Sequence, residues 1–134
     1  MHAELMEYRN GLKQEIVLPM AKSMIRLYRR ITKLVERYQK QFAEMESVPQ
    51  ECSEFLKEVS ECATVVLSNL KEFDIEIVNP EVGTPFSFKK QRCARTIPRT
   101  DDVEPETIAE VLSVGFEDVM KHRIIDYPEV VIYK

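Results

Sequence analysis

Apolar residues in the first third of the chain recur at three- and four-residue steps. At about 100° per residue around a helix, they fall within an arc of roughly 120°. They are Met20, Met24, Leu27, Tyr28, Ile31, Leu34, Val35, Tyr38 and Phe42. The pattern predicts a long amphipathic helix from about Leu12 to Met45. Pro19 has no backbone donor, so we expect a break near Val17 to Pro19.

Basic residues occupy the opposite side of this predicted helix. They are Lys22, Arg26, Arg29, Arg30, Lys33, Arg37 and Lys40. Such a face is ordinarily solvated, or it pairs with acidic residues of a neighbouring helix. Both interpretations stay open from the sequence.

A second helix is predicted after the linker Ser47 to Gln50, where Pro49 can open its first turn. Its apolar residues again share one face, and glutamates surround its first half. The apolar residues are Phe55, Leu56, Val59, Cys62, Ala63, Val66, Leu67, Leu70 and Phe73. Two such helices form a hairpin. Since a lone hairpin leaves apolar surface uncovered, we expect a homodimer in which two hairpins make a four-helix bundle.

Short β-type segments replace the helical pattern from Ile75 onward. They are Ile75 to Val78, Cys93 to Ile97, Thr107 to Val114 and Val130 to Tyr133. Proline, glycine and acidic residues separate them, and Gly115-Phe116 is expected to form a turn. Asp101 and Asp102 stand before Pro105, where turn residues are more common than an acid–base pair. The predicted fold class is α+β, with a helical hairpin over 1–74 and a small antiparallel β-domain over 75–134.

Composition narrows the functional classes. The chain has 134 residues, of which 44% are hydrophobic and 31% charged, as is typical of a folded protein of moderate size. No run approaches the roughly 18 uncharged apolar residues of a membrane span, and no secretory leader is recognisable. We therefore expect a cytoplasmic protein without a membrane partner.

The chemistry-bearing residues do not indicate an enzyme. Cys52, Cys62 and Cys93 lack the paired spacing of a zinc site, and the histidines are His2 and His122. No glycine-rich phosphate loop is present, so no metal and no cofactor is predicted. Cys62 lies on the apolar helical face and is expected to be buried. A Cys93–His122 nucleophile pair stays open, although nothing nearby marks either residue as activated.

Four segments together resemble the GrpE family, the nucleotide exchange factors of DnaK-type chaperones. Leu18-Pro19 followed by Arg26 resembles the family's L-P-x-L-D-N-L-x-R-A run. Phe73-Asp74-Ile75-Glu76-Ile77 resembles its F-G-V-E-x-I transition. Pro85-Phe86-Ser87-Phe88 stands at its P-F-D-P, and Arg123 to Val130 stands at its R-V-L-R-P-A-x-V. The resemblance covers roughly residues 14 to 133, and the long helix that precedes the bundle in many members is nearly absent.

The resemblance implies a function in binding, not catalysis. A β-domain of this family, called the wing, contacts the ATPase domain of a DnaK-type chaperone and promotes ADP release. Matching the pattern position by position gives six partner-binding residues: Arg26, Phe86, Phe88, Leu112, Arg123 and Ile132. The chain departs from the pattern at Lys22-Ser23, at Glu58, at Phe88-Lys89-Lys90-Gln91 and at Asp126.

Alternatives remain at this point. Phe86, Leu112 and Ile132 are apolar, so core packing explains them equally well. Phe86 and Phe88 lie on the same side if their segment is extended. Residues 82–100 carry five cations and no acid, which suits nucleic acid, although the net charge of −4 and the lack of a known motif count against it. A scaffold or assembly protein that keeps the wing without exchange activity is a further possibility.

Overall fold

Two compact units make up the chain. The computed structural model describes residues 2–134, and for residues 6, 9, 10 and 12–14 it describes the backbone alone. One unit ends at Phe73 and the other runs from Asp74 to Lys134. The first unit is helical and the second consists of strands, which confirms the α+β class. The helices are α1 (His2–Leu12), a π-helical turn (Lys13–Val17), α2 (Leu18–Glu44) and α3 (Gln50–Lys71).

The predicted break before Pro19 is confirmed. The π-helical turn ends at Val17, and Pro19 lies in the first turn of α2. In a continuous α-helix the residue at position 19 would donate to the carbonyl of Glu15, which proline cannot do. A π-type turn, with its wider hydrogen-bond spacing, accommodates this missing donor. The long helix predicted from about Leu12 therefore begins as an α-helix at Leu18, and the π-helical turn joins it to α1.

The helical hairpin forms as predicted. The loop of residues 45–49 joins α2 to α3, and its first amide, on Met45, donates to the carbonyl of Phe42 at 3.2 Å. The carbonyl of Pro49 accepts the amide of Cys52 at 3.1 Å and so begins α3. Helices α2 and α3 contact each other. Their buried residues are Ala21, Ile25 and Val35 on α2, and Ala63, Val66 and Leu70 on α3.

The contact between the two helices covers only part of their apolar surface. On α2, Met20, Leu27 and Leu34 are 56%, 50% and 39% exposed. On α3, Phe55 is 67% exposed, and Cys62 is exposed as well. The expectation of a buried Cys62 thiol is therefore wrong, because the covered side of α3 is narrower than its full apolar face.

The β-unit contains two three-stranded sheets. In the first, β1 (Ile75–Val78), β4 (Gly115–Asp118) and β5 (Arg123–Asp126) lie in the order β1-β4-β5 and are antiparallel. In the second, β2 (Arg92–Ile97), β6 (Glu129–Tyr133) and β3 (Ile108–Ser113) lie in the order β2-β6-β3. Strand β6 pairs antiparallel with β3 but parallel with β2, so the predicted antiparallel domain contains one parallel pair.

Gly115 does not form the expected turn. It opens β4, and the backbone of Pro128 and Asp126 passes close against it. A Cβ atom at position 115 would overlap the ring of Pro128 and lie 2.7 Å from the carbonyl oxygen of Asp126. Glycine is needed here because another segment of backbone occupies the space of a side chain. Strand β5 was not predicted from the sequence either, since it is four residues long and lacks a clear alternation.

Three of the described non-glycine residues, Asp74, Glu106 and His122, adopt left-handed backbone conformations. Asp74 has φ 62° at the position where the family pattern has glycine, and its carbonyl accepts the amide of Val119 at 3.0 Å. His122 has φ 52° in the turn before β5. In that turn the Asp118 carboxylate accepts the amides of Met120 and Lys121 at 3.1 and 3.3 Å. Aspartate and histidine adopt this conformation more readily than most non-glycine residues, so the turns at Asp74 and His122 form without glycine.

We predict that Gly115→Ala destabilises the β-unit by about 1–3 kcal/mol, because the added methyl group must displace backbone. Urea unfolding of the whole chain, followed by circular dichroism, measures the change. Gly11→Ala is the matched control, since nothing lies within 4 Å of a Cβ at that position. Equal stability of the Gly115 variant and the wild type would contradict this packing.

Candidate partner-binding surface

Two of the six proposed partner-binding residues lie in the core of the second sheet. Ile132, on β6, is 8% exposed and belongs to a cluster with Ile108 and Val130. Phe86 packs against this cluster, and its amide donates to the carbonyl of Glu106 at 2.9 Å. Any contribution of Phe86 and Ile132 to a partner surface is therefore one of support beneath it.

Phe88 is presented differently, from a tight turn that begins at Ser87. Its side chain is 71% exposed. The carbonyl of Ser87 accepts the amides of Lys90 and Gln91 at 3.0 and 2.9 Å. The side-chain oxygen of Gln91 accepts the amide of Ser87 in return, at 2.9 Å. Three hydrogen bonds thus close the Ser87–Gln91 turn on itself and fix the backbone that carries the exposed ring.

Arg92 fastens this turn to the rest of the β-unit. Its guanidinium donates to the carbonyl of Phe88 at 3.1 Å and lies 3.6 Å from the centre of the Tyr127 ring. Its amide donates to the carbonyl of Pro128 at 2.9 Å. A cation over an aromatic face contributes about 0.5–2 kcal/mol, depending on how dry the contact is. Arg92 therefore ties the Phe88 turn to the segment that leads into β6.

The Ser87–Gln91 turn also separates the two phenylalanines. An extended segment would place Phe86 and Phe88 on one side, but the turn begins between them. Phe86 packs inward and Phe88 points to solvent. The expectation of a shared side therefore fails, since it depended on an extended backbone.

The other three proposed residues are accessible but lie on separate elements. Leu112 is 43% exposed on β3, an edge strand of the second sheet. Arg123 is exposed at the start of β5, an edge strand of the first sheet, in register with Asp118. Arg26 is exposed on α2 in the helical unit, where its guanidinium donates to the hydroxyl of Ser23 at 3.0 Å. Their role in partner binding stays a prediction.

The helical unit presents a second apolar surface. Met20, Leu27 and Leu34 recur every seven residues along α2 and remain exposed. Near the loop of the hairpin this surface deepens into a groove of about 460 Å³ between α2 and α3. The groove is lined mainly by Leu34, Tyr38, Phe42, Phe55, Leu56 and Val59.

On helix α2, burial raises the pKa of the Tyr28 hydroxyl, which therefore stays neutral well above neutral pH.

These surfaces suit binding, and the candidate chemical groups lie apart from one another. Over residues 2–134, no three His, Cys, Asp or Glu side chains come close enough together to hold a metal ion. Cys93 lies on β2 in one sheet, whereas His122 lies in the turn between β4 and β5 of the other. Among the described residues, none of the helices has the length and apolar character needed to cross a membrane.

A family comparison decides what this combination of hairpin and β-unit is. The family model described as GrpE matches residues 1–134. The chain belongs to the GrpE family. No curated protein matches it. Membership confirms the resemblance seen in the sequence and suggests a nucleotide exchange co-chaperone of the DnaK system, a class of binding proteins and not of enzymes.

Within the GrpE pattern, the described structure explains one departure directly. Phe88-Lys89-Lys90-Gln91 replaces the family's P-N-L-H, and Gln91 closes the turn through its side chain. Gln91, Arg92 and Tyr127 were not predicted from the sequence as positioning residues. The four-residue spacing of Phe88 and Arg92 offered a weak signal, but the contact with Tyr127 joins distant parts of the chain and leaves no local pattern.

We predict that Arg92→Ala loosens the Ser87–Gln91 turn while the β-unit stays folded. Loss of one hydrogen bond and one cation–π contact, together about 1–2 kcal/mol, should speed hydrogen exchange of the Lys90 and Gln91 amides roughly tenfold. Arg99→Ala is the control, because Arg99 bonds to the carbonyl of Val103 outside the turn. Unchanged exchange in the Arg92 variant would show that the turn holds without it.

Proposed function

We propose that this protein is a nucleotide exchange factor that binds the ATPase domain of a DnaK-type chaperone and promotes ADP release. The observation that supports the proposal most strongly, beyond family membership, is the exposed Phe88 ring on its fixed turn. A large apolar side chain held in place before binding loses little entropy when a partner covers it. Aromatic residues of this kind are frequent hot spots of protein interfaces.

The proposed mechanism requires no chemical step by this chain. If the β-unit binds the open form of the ATPase domain more tightly than the closed form, binding shifts the population toward the open form. ADP then leaves more readily. Couplings of this kind amount to about 1–3 kcal/mol, which corresponds to roughly 5- to 150-fold in nucleotide affinity. One well-placed aromatic contact can supply much of that difference.

We assign partner contacts to the accessible residues of the matched set. These are Phe88, Leu112 and Arg123 on the β-unit and, separately, Arg26 on α2 of the helical unit. Phe86 and Ile132 act from below, since the cluster that they share with Ile108 supports the β-unit.

We further propose that the active form is a homodimer made through the helical unit. The heptad repeat of Met20, Leu27 and Leu34 is the seam expected of helices that pair along their length. Its exposure of 39–56% in the single chain leaves a continuous apolar stripe for a second copy to cover. Two hairpins joined this way would give the four-helix bundle.

We predict that Phe88→Ala slows the release of a fluorescent ADP analogue from a DnaK-type chaperone of the same cell. Loss of a hot-spot aromatic costs about 2 kcal/mol, so roughly thirtyfold more protein should be needed for half-maximal acceleration in a stopped-flow experiment. Met120→Ala is the control, because Met120 is 69% exposed on the same unit and is not in the matched set. If the wild type gives no acceleration with any cognate chaperone, the scaffold alternative gains support.

We predict that Leu27→Lys removes the concentration dependence of helical unfolding. In a dimer, the midpoint of thermal unfolding rises with protein concentration by mass action. A lysine in the apolar seam would leave a charge in the interface and favour the separate chains. Val65→Lys is the control: Val65 is 58% exposed and lies among the outward-facing glutamates of α3. A midpoint independent of concentration in the wild type would refute the dimer.

A further inference from the structure

The basic side of α2 is an accessible, straight row of positive charge. Six of its cations are exposed, and at about 100° per residue they fall within an arc of roughly 80°. We call them the basic stripe: Lys22, Arg26, Arg30, Lys33, Arg37 and Lys40. Arg29 borders the stripe and is half-buried. The chain's net charge of −4 conceals this segregation, since it averages the stripe with acidic segments elsewhere.

Arg26 belongs both to the stripe and to the proposed partner-binding residues, whereas the other five cations lie away from the hairpin contact and the apolar seam. The buried residues Ala21, Ile25 and Val35 mark the side of α2 that packs in the hairpin. Leu27 and Leu34 mark the exposed apolar seam, about 100° from the middle of the stripe. A second copy that covers the seam would therefore leave the stripe accessible.

The spacing of the charges suits a nucleic-acid backbone. From Lys22 to Lys40 the helix rises about 27 Å at 1.5 Å per residue, so the six exposed cations are on average about 5.4 Å apart along its axis. Phosphates of one DNA strand follow one another about every 3.4 Å along the duplex axis. The acid within this span is Glu36, beside the stripe. A rigid rod of cations at this density neutralises phosphates without any change in its own shape.

We propose that the basic stripe of α2 binds the phosphate backbone of double-stranded nucleic acid, without sequence specificity. Single strands fit less well, because they are held by aromatic stacking, and the ring of Tyr38 beside the stripe is already partly covered by the Arg37 guanidinium, 5.3 Å from its centre. An anionic membrane surface fits less well too. A helix bound there inserts an apolar face next to its cations, whereas part of the apolar face of α2 packs inside the hairpin and the exposed part is the seam proposed to pair with a second copy.

The test is binding of the full-length chain to a fluorescein-labelled random-sequence DNA duplex of about 20 base pairs, measured by anisotropy from 50 to 200 mM salt. With six phosphate contacts, affinity should fall about a thousandfold over this range, a slope near −5 on logarithmic axes. The triple variant Lys33→Gln, Arg37→Gln, Lys40→Gln should retain helical circular dichroism and show a slope near −3.

A matched triple variant in the β-unit controls for net charge. Lys89→Gln, Lys90→Gln, Arg95→Gln removes the same charge from residues 82–100 and should leave the slope near −5. No binding by the wild type at 50 mM salt and about 100 μM protein would overturn the proposal. So would equal loss in the two variants, which indicates diffuse attraction, or loss confined to the β-unit variant, which places the site there.

Discussion

The apolar face of α2 is wider than one neighbouring helix can cover, and this constraint shapes the helical unit. Helix α3 leaves Met20, Leu27 and Leu34 open, together with the groove that contains Phe55. Covering a leucine or methionine side chain fully contributes about 1.5–3 kcal/mol. The apolar seam of a second copy is the simplest cover, because its residues have the same heptad spacing and can pack between those of the first. In the proposed dimer each chain then contributes one β-unit.

In the β-unit the organising element is β6. It lies between β2 and β3, and Val130, Val131 and Ile132 are all nearly inaccessible. On one face its residues share a cluster with Ile108 and Phe86. Just before β6, the Tyr127 ring lies under the Arg92 guanidinium, and the carbonyl of Pro128 accepts the Arg92 amide. The same short segment therefore supports both the core and the turn that presents Phe88, so stability and binding depend on the same few residues.

The sequence predicted the elements whose pattern is long or strongly marked. The two helices, the break before Pro19, the hairpin loop at Pro49 and strand β1 follow from periodicity and from proline chemistry, which act locally. Features that depend on distant contacts were missed. Gly115 was assigned to a turn because its close approach to Pro128 is invisible in the local sequence. Cys62 was expected to be buried because periodicity gives the apolar face but not how much of it a neighbour covers. The Arg92–Tyr127 contact was missed because the two residues are far apart in the sequence and share no local pattern.

The central claim is that the exposed seam of α2 is completed by a second copy of the chain. Sedimentation equilibrium of the wild-type protein at tens of micromolar tests it most directly. The account predicts a mass twice that of the 15.7 kDa chain. A mass of one chain at that concentration would contradict it, because the hairpin would then be stable with its apolar seam open to water.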